Sequence, residues 1–303
     1  MTQERPDQPQ ELARQALGAP RRSVATRIVS KTGGGLVQMF LVLVSVFWLV
    51  PAIGLFISAL RGERDNSASG WWTALLKPAQ LTVTNYSNLL DNDDLLSSFV
   101  NTVLITVPTT LLVVAIASLA GYAFAWMEFP GRDWIFLIVI GMLVVPIQVG
   151  LIPIAELYGS LGIFGSIPGV VLFHVAFGLP FAIFLLRNFF SGIPRDLLEA
   201  ARIDGASEWT IFVRVILPLG LPAIASLAIF QFVWVWNDFL IALVFAGRDS
   251  QPLTVFLQSQ TRQFGESVDV LAPGAFLSLI VPLIVFFSFQ RYFVQGVLAG
   301  SVK

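Results

Sequence analysis

The chain has no cysteine in its 303 residues, a single histidine, and charged side chains at only 12% of positions, about half the share carried by soluble globular proteins. Each scarcity excludes something. Without cysteine there is no disulfide, no thiolate nucleophile and no Cys-based metal site, and redox chemistry says nothing about the compartment. One histidine cannot build a His-Glu-x-x-His zinc site, and no Gly-x-Ser-x-Gly elbow occurs. There is no Gly-Lys dipeptide, hence no P-loop to cradle nucleotide phosphates. A net charge of -1 and a pI near 5.8 lack the basic footprint of a nucleic-acid partner.

What the chain has is apolar surface: 56% hydrophobic residues and a mean hydropathy of +0.79. Runs that can cross a hydrocarbon core, which takes about 20 helical residues, lie at 36–60, 99–127, 134–154, 167–186, 219–246 and 273–290. Backbone groups in lipid must pair within the segment, so runs of this length predict helices; barrel strands would be half as long and alternate in polarity. The expected fold class is an all-α membrane protein, a bundle of six transmembrane helices over residues 34–303. Proline at 108, 146, 153, 180 and 282 predicts bent spans.

An even number of spans puts both termini on one side. Thirteen of the eighteen basic residues fall in residues 1–33, the 128–133 turn, the 187–218 loop and the C-terminal end. The positive-inside rule then places both termini and that loop in the cytosol. Residues 1–33, polar and without a signal-peptide core, are expected to be a disordered tail. The 61–97 segment has a hairpin-like pattern at Thr82 to Asn88 but little apolar content, and is expected to be a small outer loop with short helical pieces; the polar 247–272 segment is expected to be an outer loop.

The 187–218 loop is a charged island between two apolar runs. Pro194, then Asp196 and Glu199, predict a helix with acidic residues toward its positive end. Gly205 stops it, Ser207 caps a second helix, and Trp209, Phe212, Val213 and Ile216 recur at helical spacing until Pro218 ends it. Glu199-Ala200-Ala201, three residues, Gly205, nine residues and then Val215-Ile216-Leu217-Pro218 resemble the EAA loop of binding-protein-dependent ABC importer permeases, with Val215 the one departure. The 180–190 stretch, Trp236-Asn237-Asp238-Phe239 and the ending 291–300 are similar to carbohydrate permeases of the maltose and α-glucoside type. The likeness runs from about Leu36 to Lys303.

The resemblance implies a type I ABC importer permease, a transport subunit that is not itself an enzyme. Glu199, Ala200, Ala201, Arg202, Asp204 and Gly205 would form a coupling helix seated in an ATPase subunit, with Ala200 and Ala201 permitting close approach and Glu199, Arg202 and Asp204 at the rim. Implied partners are two ATPase subunits that use ATP and Mg, a second permease of a different chain, an extracytoplasmic substrate-binding protein and a sugar, an oligosaccharide or α-glucoside. The setting is the bacterial plasma membrane. The 247–272 loop would reach toward the docked binding protein, and Gly300 to Lys303 would lie near the ATPases. Trp71-Trp72 and Asn85-Tyr86 resemble α-glucoside permeases locally.

Asp238 is the one carboxylate or basic group within the six runs, and a charge there has to face protein or water. Gln231, Trp234 and Asp238 share a helical face at i, i+3 and i+7, with Asn237 alongside; amide, carboxylate and aromatic groups suit a hydroxyl-rich sugar. Equally, Gln231 and Asn237 could bond across helices and Asp238 could anchor loop backbone. Gln148 is a further candidate. His174 is expected to make one interhelical hydrogen bond, since its run lacks a titrating partner for proton relay. Gly296 and Gly300 are expected to ease packing of the tail. An ion-coupled secondary transporter is the alternative; it would bury several ionisable groups and repeat its topology.

Overall fold

A computed structural model of the chain describes residues 24–264 and 268–301, with side chains at 35, 37–260 and 270–290. Residues 1–23 of the expected 1–33 tail and the terminal Val302 and Lys303 lie outside the described residues. So do the side chains around Gly296 and Gly300.

Among the described residues, five helices are long and apolar enough to cross a membrane, or six if one bent pair forms a single span. Two compact units divide at Gly54, inside the first helix, α1 (Val24–Ala59). This helix begins twelve residues before the expected span at 36, within the segment read as tail. In the first unit Val37 to Val50 present Phe40, Phe47 and Trp48 at 64%, 73% and 74% exposure, as lipid-facing side chains do.

The second unit opens with the small helical elements expected of the 61–97 loop. After α2 (Glu63–Ala68) come two 3₁₀ turns and α3 (Thr84–Leu90), the short helical pieces expected there, and the hairpin-like pattern at Thr82 to Asn88 falls on a helix. Asn85 is buried because its amide donates to the carbonyls of Ala59 and Arg61 at 3.0 and 2.7 Å. Arg61 is fully buried, its guanidinium donating to the Asp65 carbonyl at 2.7 Å and to Ser69 Oγ at 2.8 Å.

The long helix α4 (Asp93–Trp126) starts where the Asn92 side chain accepts from the Leu95 amide at 3.0 Å, with Asp93 and Asp94 in its positive first turn. The third expected span is two helices, α5 (Arg132–Met142) and α6 (Ile147–Leu161), meeting at 99°. Pro146 accounts for the break: it has no amide hydrogen and disfavours helical backbone at Val145. The second arm continues to Leu161 and carries an exposed Glu156, so Asp238 is not the sole ionisable group on these helices.

Helix α7 (Ile167–Phe190) packs along α4. Val113, Ala117, Tyr122, Ala182, Leu186 and Phe190 form one buried cluster, and at Gly121 an added Cβ would come within 3.1 Å of the Arg187 backbone nitrogen. Small residues at such seams let helices approach in lipid, where dispersion replaces the hydrophobic drive.

Beyond Pro194, α8 (Arg195–Ile203) and α9 (Glu208–Ile211) make up the loop, and a π-turn at Phe212–Ile216 runs straight into α10 (Leu217–Trp236). Pro218 therefore does not end a helix. It lies in the first turn of α10, and the wider π-turn before it relieves the clash that a proline ring makes with the carbonyl four residues earlier.

The fifth expected span is also interrupted. Helix α10 stops at Trp236 and a short α11 (Leu240–Phe245) follows, leaving Asp238 in the break. The expectation of Asp238 on one continuous helical face with Gln231 and Trp234 over 219–246 is thus corrected. The segment read as an outer loop holds α12 (Leu253–Phe264), whose Leu253 and Phe256 are buried with Leu89 and Leu95. The last helix, α13 (Val268–Ser301), starts before Pro273 rather than at it.

Candidate functional site

Two places combine chemistry-bearing residues: the loop formed by α8 and α9, and the break between α10 and α11. At the first, the amphipathic pattern of α8 buries Leu198 completely and leaves Leu197 and Ile203 at 46% and 86% exposure. Glu199, Ala200, Asp204 and Gly205 are exposed as well. Gly205 has φ of 80°, a left-handed conformation that side chains resist; it lets the chain reverse into Ser207, whose hydroxyl accepts from the Thr210 amide at 3.3 Å.

The charges expected at the rim are mostly engaged. Arg195 Nε pairs with Glu199 Oε1 at 2.8 Å across one exposed turn. Arg202 turns back, donating from Nε to Glu208 Oε1 at 2.9 Å and toward the Trp126 carbonyl at 3.4 Å. The hydrogen bond to Glu208 pushes the Arg202 pKa above its ordinary value. On the other carboxylate oxygen, Glu208 accepts a short hydrogen bond from the Tyr122 hydroxyl, and Tyr122 is 4% exposed within α4. Trp126 Nε1 donates to the Phe190 carbonyl at 3.0 Å. The loop is thereby tied to the ends of both α4 and α7. Beside this tie an open cavity of ≈ 380 Å³ is lined by Trp126, Glu128, Arg132, Arg195, Arg202 and Glu208.

At the second place, Asp238 closes the break. Its Oδ1 accepts from the Ile241 amide at 3.3 Å and its Oδ2 from the Ala242 amide at 3.0 Å, which starts α11 by satisfying orphan donors. The Asp238 carbonyl accepts from Thr254 Oγ1 at 2.6 Å. Asp238 Oδ2 also lies 3.4 Å from His174 Nε2 on α7. The His174 and Trp234 rings meet edge to face, 5.5 Å between centroids.

Trp234 and Asp238 are therefore brought together, through His174. Gln231, 4% exposed, sits inward on the same seam, so tightly that a Cβ at Gly178 would come within 2.9 Å of its Nε2. Asn237 does not join them: its amide donates to the Val233 carbonyl of its own helix at 2.8 Å. Gln148 lies in the first turn of α6, just past the Pro146 break.

Comparison with known proteins decides between a membrane bundle in general and one kind in particular. The family described as binding-protein-dependent transport system inner membrane component matches residues 93–299, a stretch that contains both places. The chain belongs to this family of permeases. Among similar proteins is the "Osmoprotective compounds uptake permease protein GgtD" of Synechocystis sp., 47% identical over 272 residues, covering 88% of this chain and 91% of that one. The "Alpha-glucoside transport system permease protein AglG" of Rhizobium meliloti is 48% identical over 254 residues, covering 82% and 67%. A chain from the crystal structure of a bacterial ABC transporter involved in import of the acidic polysaccharide alginate shares the fold, with a TM-score of 0.73 at 22% identity, covering 91% of this chain and all of that one.

As an ABC importer permease, the protein presents residues that sequence reasoning did not single out. Tyr122 lies in an apolar run and looks like an ordinary span residue. The one available signal is that a phenol near the end of a span needs a polar partner. Leu197 and Ile203 stand out only once α8 is phased, because the buried side of that helix is taken by Leu198.

Proposed function

We propose that this permease carries a neutral sugar, an oligosaccharide or α-glucoside, into the cell, with both termini and the 187–218 loop in the cytosol. An ATPase subunit receives α8, and the ATPase pair supplies the ATP and Mg chemistry that this chain leaves to its partners. A second, different permease chain completes the path, and an extracytoplasmic binding protein delivers the sugar.

The observation that carries the docking role is the contrast on α8 and α9. Ile203 and Trp209 are 86% and 65% exposed, yet the same element is fixed through Arg202 and Glu208 to Tyr122. Exposed apolar side chains beside the small, exposed Ala200 make a surface that another protein covers, and the tie means that moving this surface moves α4. The 99° break between α5 and α6 and the break at Asn237 supply the joints.

The sugar rests on likeness and on chemistry. Similar permeases are named for α-glucoside and for arabinooligosaccharide transport. At the α10–α11 break Trp234, 38% exposed, offers an aromatic face to the C–H surface of an uncharged, hydroxyl-rich cargo, while Asp238 and His174 hold the break behind it. The Asn85 region gives no such support, since that side chain is spent on backbone carbonyls.

The test is to purify the permease with the subunits encoded beside it and to measure ATP hydrolysis with the binding protein loaded with α-glucosides or with uronic-acid oligomers. Stimulation by the neutral sugars supports the reading. A preparation that transports without any ATPase subunit overturns the docking role, and stimulation by the acidic oligomers alone overturns the cargo.

A further inference from the structure

We propose that His174 is a positioning residue of the sugar path and acts as an imidazolium, holding Asp238 and Trp234 at the α10–α11 break. The inference rests on the path reading above and adds a proton and a residue to it.

The argument is a count of hydrogens. His174 Nδ1 lies 2.9 Å from the Val170 carbonyl oxygen; a carbonyl only accepts, so Nδ1 carries a hydrogen. Nε2 is buried and makes no hydrogen bond, and it lies 3.4 Å from Asp238 Oδ2. If the ring were neutral, Nε2 would turn a lone pair toward a carboxylate oxygen, and two acceptors would be buried face to face. A second hydrogen removes that conflict.

It belongs on the ring because both Asp238 oxygens already accept backbone amide hydrogens, from Ile241 and Ala242. A protonated carboxyl would give up acceptor capacity on an oxygen that is in use. The ring then holds two hydrogens and the carboxyl none, and the pair is neutral overall. Neutrality lets a carboxylate persist in a span, where an uncompensated charge is costly.

Among the described residues, the pair also meets the Trp234 ring, the Ile241 and Ala242 amides, and Thr254 through the Asp238 carbonyl. None of these contacts brings a further charge. His174 thus bridges α7 to the end of α10 and the start of α11, at 1% exposure beside a carboxylate at 10%. With the bridge in place the break at Asn237 keeps one geometry, and Trp234, 38% exposed, is presented from a fixed base.

His174 is the chain's one histidine, which makes the proton visible. The assembled transporter, labelled with ¹⁵N-histidine, is compared at neutral pH with its His174→Gln counterpart, and the difference spectrum isolates this ring. We expect two protonated ring nitrogens in the native complex. In Asp238→Asn, where an amide can donate to Nε2, we expect one protonated and one unprotonated nitrogen. A native ring with one unprotonated nitrogen overturns the imidazolium.

The positioning role is read by reconstituted transport against stimulated ATP hydrolysis. His174→Leu is expected to lower sugar uptake about tenfold, the scale of a hydrogen bond to a charged group, while ATP hydrolysis remains stimulated. Equal loss of both, or of neither, overturns positioning. Trp234→Ala separates the two readings: if it leaves uptake intact the path reading fails, whatever the spectrum of His174 shows.

Discussion

Tyr122 and Glu208 stand 86 positions apart in the chain and share a hydrogen bond, with Glu208 held on its other oxygen by Arg202 at 2.9 Å. The span helix α4 and the loop are in this way one mechanical piece. If the loop is where an ATPase pushes, this bond is on the route by which the push reaches the spans.

Tyr122→Phe removes the hydroxyl and leaves the ring against Phe212, 5.4 Å between centroids. Losing a hydrogen bond to a charged group costs about 1.5–3 kcal/mol. We expect assembly to survive and the sugar moved per ATP hydrolysed to fall. Glu208→Gln should lower it similarly, and the double variant should be little worse than either, because both changes cut the same tie. Additive losses in reconstituted vesicles would show that the two residues act separately.

Gly205 at φ of 80° cannot become proline, whose ring fixes φ near -65°. Gly205→Pro should unseat α9 from α8, uncouple ATP hydrolysis from uptake and leave the bundle in the membrane. Gly205→Ala, which meets nothing within 4 Å, should cost only about 1–2 kcal/mol of left-handed strain and keep partial transport. Unchanged uptake in the proline variant would count against the docking role.

Ile203→Asp and Trp209→Ala alter side chains that make the exposed face without disturbing Leu198 beneath. Pull-down of the permease should then recover less ATPase subunit at equal permease yield. Equal recovery of both would place the contact elsewhere on the molecule.

Gly178 and Gln231 form a matched pair, since a Cβ at 178 would press within 2.9 Å of the Gln231 amide nitrogen. Gly178→Ala should lower the thermal midpoint of the purified transporter, and adding Gln231→Ala should restore it by removing the obstructing amide. Overpacking of this kind costs about 1–3 kcal/mol. A double variant no more stable than Gly178→Ala would deny that the two positions touch.

The sequence made the spans legible because lipid imposes a length and a composition that few other environments do. It marked Pro146 and Gly205 as turning points, and both turn the chain. The size of each turn was not legible: proline permits anything from a mild bend to the 99° break between α5 and α6. The break at Asn237 carries neither glycine nor proline; it depends on the Asp238 carboxyl capping the next helix, which only the fold arranges. His174 showed no titrating partner because its own run lacks ionisable residues, and the carboxylate beside it arrives from another helix. The 253–264 segment looked like a loop because it is polar on average, although Leu253 and Phe256 bury one side of it.

The absence of cysteine allows the central claim to be tested at one atom. Ile203→Cys is placed in the full transporter and labelled with a photoactivated cross-linker. If α8 is the coupling element, the thiol resists membrane-impermeant maleimide added outside whole cells, and illumination joins the permease to an ATPase subunit. Labelling from outside, or illumination that yields no cross-link to an ATPase subunit, would contradict the account.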